Sequence, residues 1–299
     1  MLASGARDVE RNAYYRHSGV WTPRGVGLGF ALGVPTAALS AGLYAYLSLL
    51  IPVAGIVAFV LAIGFGVLLG VSTGVGLRLG QVRNGRIATA AAGLVAVFGL
   101  YLAWAVSIAA RGEPVAGAGT LELLIHPGRL FAGAATVARN GSWSVAGFAP
   151  VGLALGAFWL LEATLVSGTA VFLARSAVAR PYCESCNGWA RAQRRVATLA
   201  ATERALLVER LETGRLDLLE QLGSPAPDAS SWLSLDLESC PGCDALHALS
   251  VHQVTVSVDE RGARSEVAVP VLTGLLVTSH AARRIRALDV EPRVAPAAA

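Results

Sequence analysis

The sequence contains no lysine: all 24 cationic side chains are arginine. No single binding chemistry demands that skew, because phosphate and lipid sites accept both residue types, and it reads as the codon bias of a GC-rich bacterial genome. Charge of either sign is scarce, at 15% of the 299 residues against 54% hydrophobic. That balance excludes an ordinary soluble domain of this length and points to a membrane protein. A short apolar core with an early cleavage pattern is also missing, since the first 25 residues are polar and carry Arg7, Arg11, Arg16 and Arg24. A cleaved secretory signal is therefore not expected, and the first apolar stretch should remain as a signal anchor.

The basic balance, with a pI near 9.1, has to be located before it is interpreted. Residues 1–174 hold 10 Arg against 5 acids, and residues 175–299 hold 14 Arg against 15 acids. The excess lies with the apolar half, where membrane topology explains it, and no nucleic-acid footprint is left for the tail.

Residues 26–77 are almost uninterrupted apolar sequence, about twice the roughly 20 residues that cross a bilayer once. Proline cannot continue a helix and biases its predecessor to extended geometry, so Leu50-Ile51-Pro52 divides this run into two spans, at about 27–50 and 53–77. After Arg78, Arg83 and Arg86, which surround the turn dipeptide Asn84-Gly85, a third span is expected at about 87–110 and a fourth at about 147–173. The expected fold class is an α-helical membrane bundle of four transmembrane helices over residues 26–174, followed by a small cytosolic α+β domain over 175–290. A polar tail, 1–25, precedes the bundle, and a loose tail, 291–299, ends the chain. The N-terminal tail, the 78–86 loop and the segment after the fourth span, which opens with Arg175 and Arg180, are Arg-rich, while the turn near Pro52 has no Arg. By the positive-inside rule both termini are cytosolic, in a multi-pass protein of the inner (plasma) membrane. Trp21, Tyr44, Tyr46, Tyr101, Trp104 and Trp143 fall near the expected span ends, where rings favour the headgroup layer. In the longer outer loop, Pro127 followed by Leu130, Phe131, Ala134 and Val137, with Asn140-Gly141 as a stop, predicts a short amphipathic helix on the membrane surface or packed over the bundle.

Three features inside the spans invite a functional reading. Gly66, Gly70 and Gly74 recur at four-residue spacing, as do Gly29/Gly33 and Gly152/Gly156, and small residues at that spacing let helix backbones approach closely. Packing within one bundle is the plain reading, and a homo-oligomer formed through the 66/70/74 stripe is the sharper one. Gly70-Val71-Ser72-Thr73-Gly74 matches the G-x-S-x-G hydrolase pattern, but that chemistry needs a strand-to-helix elbow and a histidine base. This match lies inside an expected helix, and no span contains His. Glu162 is the one acid inside an apolar run, with Trp159, Val166 and Thr169 on its face. No basic group in another span can pair with it, so it is expected to be protonated or hydrogen-bonded to a Ser, Thr or Tyr on a neighbouring helix. It either fixes helix register or lines a proton or cation path.

All four cysteines lie in the tail, as Cys183-Glu184-Ser185-Cys186 and Cys240-Pro241-Gly242-Cys243. Two residues between thiolates let both sulfurs of a tight turn reach one tetrahedral metal, and two such turns complete four ligands at about 2.3 Å. Structural zinc is the expected cofactor. Redox chemistry at either pair, or iron, are the alternatives, and a reducing cytosol disfavours structural disulfides. The Pro-Gly turn of the second pair and Asn187-Gly188 after the first resemble the knuckles of zinc-ribbon and rubredoxin-like modules. The whole layout resembles bacterial proteins that join a few membrane spans to a zinc ribbon, an architecture that implies no particular activity.

Elsewhere in the tail the pattern predicts an amphipathic helix over 190–212, carried by Val196, Leu199, Leu206, Leu207 and Leu211, and a short helix over 215–222. Ser224-Pro225-Ala226-Pro227 breaks the chain, and 228–239 reads as loop or strand edge. Val-rich runs on either side of Asp259-Glu260-Arg261-Gly262 predict a hairpin, and 278–288 a last helix. His247 and His252 belong to that hairpin more readily than to a zinc shell that four thiolates already fill. The sequence thus predicts a bilayer-anchored, zinc-stabilised interaction or regulatory domain, whose partner is a cytosolic or membrane protein and not a nucleic acid. A small transporter or channel using Glu162 is the competing class. No nucleophile–base pair or open metal site argues for an enzyme.

Overall fold

An apolar run satisfies its own backbone polar groups most directly as a helix, and four such runs do so here. The computed structural model describes residues 14–50, 56–111, 119–141, 150–258 and 263–288. Its helices α1 (Pro23–Leu50), α2 (Ile56–Leu79), α3 (Gly85–Arg111) and α6 (Leu153–Val178) are long and apolar enough to cross a membrane. Between α3 and α6 lie the short α4 (Thr120–Ile125) and α5 (Pro127–Asn140). Start signals are local. The Thr22 hydroxyl accepts the Gly25 N–H at 3.0 Å, with Pro23 opening α1, and Asn84 Oδ1 accepts the N–H groups of Arg86 and Ile87 at 3.0 and 3.2 Å. Asn84-Gly85, expected as a turn, is thus a cap leading into α3.

The fourth long helix begins later than expected, at Leu153, after Gly152 in the left-handed region (φ 58°), and runs on to Val178. Pro150 and Gly152 explain the delay, since neither favours a helix interior. Pro52 and Trp143, both used in the sequence reading, lie outside the described residues. Helix α5 has the bounds predicted for it and packs over the end of α3, with Leu130, Gly133 and Val137 buried and Phe131 turned outward.

Within the bundle, α1 and α6 each pack on α2 and α3. The glycine stripe has a definite use: a Cβ at Gly66 would come within 2.6 Å of Val166 O, at Gly70 within 2.7 Å of Ala170 O, and at Gly74 within 2.9 Å of the Ala177 Cβ. The stripe is therefore packed against α6 of the same chain, as packing within one bundle requires. On the other side of α2, Gly76 and Gly80 meet the α1 backbone at Gly29 and Gly25 in the same way. Gly156 meets nothing within 4 Å, so the 152/156 pair has no packing role of this kind. Ser72 sits in mid-helix with its hydroxyl on Leu69 O at 3.1 Å, far from the elbow a hydrolase serine needs.

The remainder of the chain folds separately. Residues Arg180 onward form one compact unit together with the described N-terminal residues up to His17. A two-stranded hairpin, β1 (Tyr182–Cys183) with β2 (Gly188–Trp189), is followed by an antiparallel meander of β3 (Arg191–Ala200), β4 (Ser231–Ser239), β5 (His247–Val258) and β6 (Arg264–Leu276). Helices α7 (Arg204–Glu212) and α8 (Asp217–Leu222) connect β3 to β4, and α9 (Ser279–Ala287) follows β6. Leu199, Leu235, Leu249 and Leu272 of the four strands share one core with Leu207, Leu219 and Ile285 of the helices.

Two expectations fail here. The helix over 190–212 is half strand: Ala197 and Leu199 point into the core at period two, and helix begins only at Arg204. Val196 and Leu199, three apart, suit one helix face but fall on opposite faces of a strand, and the sheet's core claims Leu199. Within 228–239, expected as loop or strand edge, Ser231–Ser239 is a central strand, because Leu233, Leu235 and Leu237 alternate with Ser, Asp and Glu and are buried. That alternation is a period-two signal, but the Ser- and Pro-rich stretch ahead of it also suits a loop.

Replacing Gly70 by Val should force α2 from α6 and cost about 1–3 kcal/mol of bundle stability. Gly93→Ala, where a Cβ meets nothing within 4 Å, should be neutral or mildly stabilising. Thermal aggregation of the detergent-purified protein checks both, and equal melting of the two variants would refute this account of the stripe.

Candidate metal centre

The first cysteine pair is held by backbone pairing. In the β1–β2 hairpin, Cys183 lies opposite Gly188 and Tyr182 opposite Trp189. Asn187 turns the chain with a left-handed φ of 49°, a conformation Asn tolerates better than most residues. The second pair occupies the loop between β4 and β5. There the Cys240 N–H donates to Leu246 O at 3.0 Å, and the Gly242 N–H donates to Cys240 Sγ at 3.4 Å. Gly242 suits this turn, because a Cβ there would make a tight 3.3 Å contact with Cys186 Sγ.

The four sulfurs all lie within 4.8 Å of one another, with Cys183 and Cys243 Sγ 3.5 Å apart. All four cysteines are free, and that separation is far beyond the roughly 2.05 Å of a disulfide. A tetrahedral ion with metal–sulfur bonds of about 2.3 Å holds its sulfurs about 3.8 Å apart. The arrangement therefore fits a single metal ion, and four protein ligands leave no position for water or substrate. Ala190, Leu246 and Tyr15 pack around the sulfurs.

The thiols do not share one proton affinity. Burial pushes Cys183 up, and hydrogen bonds with the Cys243 and Cys240 thiols push Cys186 up to about 12. Cys240, despite burial that opposes it, is drawn down to about 7 by the Gly242 N–H and the neighbouring thiols. Cys240 thus ionises readily while Cys183 and Cys186 resist ionisation, a charge pattern that a bound cation relieves.

A polar brace holds the second turn. Ser239 and His247 are partners across β4 and β5. His247 Nδ1 lies 2.8 Å from Ser239 Oγ, which also accepts from Arg286 Nη2 at 2.8 Å. Burial, then the nearby Arg286 charge, lowers the His247 pKa and keeps the ring neutral. His247 and His252 both lie on β5, outside the cysteine cluster. The brace was not anticipated, since nothing in the sequence signals that Arg286 returns to β4.

Glu162, the other candidate, lies on α6 and accepts a hydrogen bond from the Tyr44 hydroxyl on α1. Tyr44 is buried and stacks on Phe65 of α2, with ring centroids 4.8 Å apart and planes 10° from parallel. It is an interior partner for the carboxyl, whereas Tyr46 faces outward as expected of a belt residue. Trp104 packs edge-on against Trp159, one turn from Glu162, at 4.6 Å. A tyrosine hydroxyl was among the donors foreseen for Glu162, but which one was not legible. No protein-family model matches the chain, and neither a curated protein nor a solved structure matches it.

The cysteine cluster predicts about one metal ion per chain by elemental analysis of the purified protein. Cys240→Ser should lose that ion together with the protease resistance of the tail. A metal-free tail that stays folded with a disulfide would refute the assignment. For the second site, Glu162→Gln should fold nearly normally, because it still accepts from Tyr44. Glu162→Leu should cost about 1–3 kcal/mol by removing the carboxyl that accepts from the Tyr44 hydroxyl. Thermal stability of the two variants checks this, and equal stability would mean that the hydrogen bond holds nothing.

Proposed function

We propose that this chain is a multi-pass protein of the inner membrane whose bundle anchors a zinc-stabilised cytosolic domain that docks or regulates another protein. The observation that carries this reading is the cysteine cluster: four thiols from two separate turns meet with all positions taken by protein. A tetrahedral four-sulfur set suits zinc or iron, and closed four-cysteine sites are the structural form of zinc binding. Such a domain presents a surface rather than a reaction centre.

Two further observations support the anchoring. Four helices have the length and composition of membrane spans. Tyr14, ahead of the first of them, bridges to Leu275, beyond the last. Residues that pair across a strand edge share one compartment, so an even number of spans must separate them, in agreement with the Arg distribution. The second reading, a small transporter or channel, rests on Glu162. Its bond to Tyr44 supports a structural tie between α1 and α6 at least as well.

The test is capture of partners from mild detergent with the full chain and with a variant lacking residues 180–299. The anchor reading expects a partner that is lost with the tail. No partner for either form, together with proton or cation flux in liposomes that Glu162→Gln abolishes, would overturn it in favour of transport.

A further inference from the structure

The residues just ahead of α1 take part in the cysteine site at the other end of the chain. Tyr14 forms an antiparallel bridge with Leu275 of β6, and the Tyr15 N–H donates to Gly274 O at 2.8 Å. The Tyr14 hydroxyl donates to Glu212 Oε1 on α7 at 2.6 Å, and burial followed by the Glu212 contact raises its pKa to about 12, so it remains a donor. The Tyr15 ring packs against the cluster that contains Cys183 and Cys240. Its hydroxyl accepts the Tyr182 N–H at 2.9 Å and lies 3.4 Å from Tyr182 O, gripping the residue that immediately precedes Cys183.

We propose that residues 14–17 are a strap whose docking is coupled to metal binding, with Tyr15 as a positioning residue for Cys183. The proposal rests on the metal reading above and goes beyond it by assigning part of the site to the N-terminal tail. The physical argument is reciprocity. A strap that fixes the Tyr182 backbone restricts where Cys183 Sγ can go, so it favours the bound geometry; metal that fixes Cys183 must then favour the docked strap by the same factor. Couplings of this kind typically change affinity 5–150-fold. Tyr15 is well suited to this role because its ring packs on the cysteine-containing cluster while its hydroxyl bonds to backbone, so the two contributions separate by substitution. Phe keeps the ring and Ala keeps neither.

The experiment uses the full chain in detergent, loaded with zinc. Zinc release to a chromogenic chelator should be about tenfold faster in Tyr15→Ala than in wild type, with Tyr15→Phe in between. Glu212→Gln, which touches the strap but not the cysteines, should speed release to a smaller extent. In the reverse direction, tryptic cleavage after the exposed Arg16, followed by mass spectrometry, should be slow with zinc bound and accelerate by a similar factor once it is removed. Release rates unchanged in Tyr15→Ala, or Arg16 cleavage indifferent to metal, in a protein that still holds one zinc per chain, would overturn the coupling and leave the metal site standing. A wild-type chain that takes up no metal would overturn both.

Discussion

The meeting of four sulfurs at one point is the constraint on which the tail's architecture depends. A hairpin of two-residue strands has too little pairing to stand alone in water. To that pairing β1–β2 adds the Ala190 N–H bond to Pro181 O, the Tyr182–Trp189 ring contact and the Tyr15 hydroxyl on Tyr182, and it closes the site with the β4–β5 loop. That closure links the chain just after α6 to the middle of the sheet. It also explains the demands on individual residues there: a left-handed Asn187, a Gly242 whose added Cβ would crowd Cys186 Sγ, and a buried Ser239–His247 contact at the neck of the loop.

The bundle obeys a different rule. Its helices have leucine and phenylalanine side chains on the outside, among them Leu39, Leu160 and Phe172, and alanine and glycine in the seams. Close backbone approach, rather than large interlocking side chains, brings α2 against both α1 and α6. Dispersion between near-touching backbones is the natural source of cohesion in seams of this composition. Against that background the Tyr44–Glu162 hydrogen bond is a directional tie between α1 and α6.

How much of this was legible in the sequence follows from the range of each signal. The long apolar runs, α5, the β5–β6 hairpin and α9 announce themselves through local periodicity and punctuation. The cysteine spacing names its chemistry without knowledge of the fold. Residues 190–212 misled because Val196 and Leu199, three apart, suit one helix face, and only the sheet, through Leu235 and Leu249, draws Leu199 into a strand. In 231–239 the alternation was present, but the Pro- and Ser-rich stretch ahead of it also suits a loop. Contacts of long sequence separation, such as Tyr15 with Tyr182, Tyr44 with Glu162 and Arg286 with Ser239, left no trace in any local pattern. They carry much of what makes the two candidate sites specific.

The bridge between Tyr14 and Leu275 has a consequence for the life of the chain before it is finished. The ribosome makes the two residues 261 positions apart, the difference of their numbers. At synthesis rates of roughly 5–20 residues per second, the early segment waits on the order of tens of seconds for its partner strand. During that interval Tyr14 and Tyr15 have no sheet edge to join, and for most of it the second cysteine pair does not yet exist. The strap is therefore among the last parts of the molecule able to close.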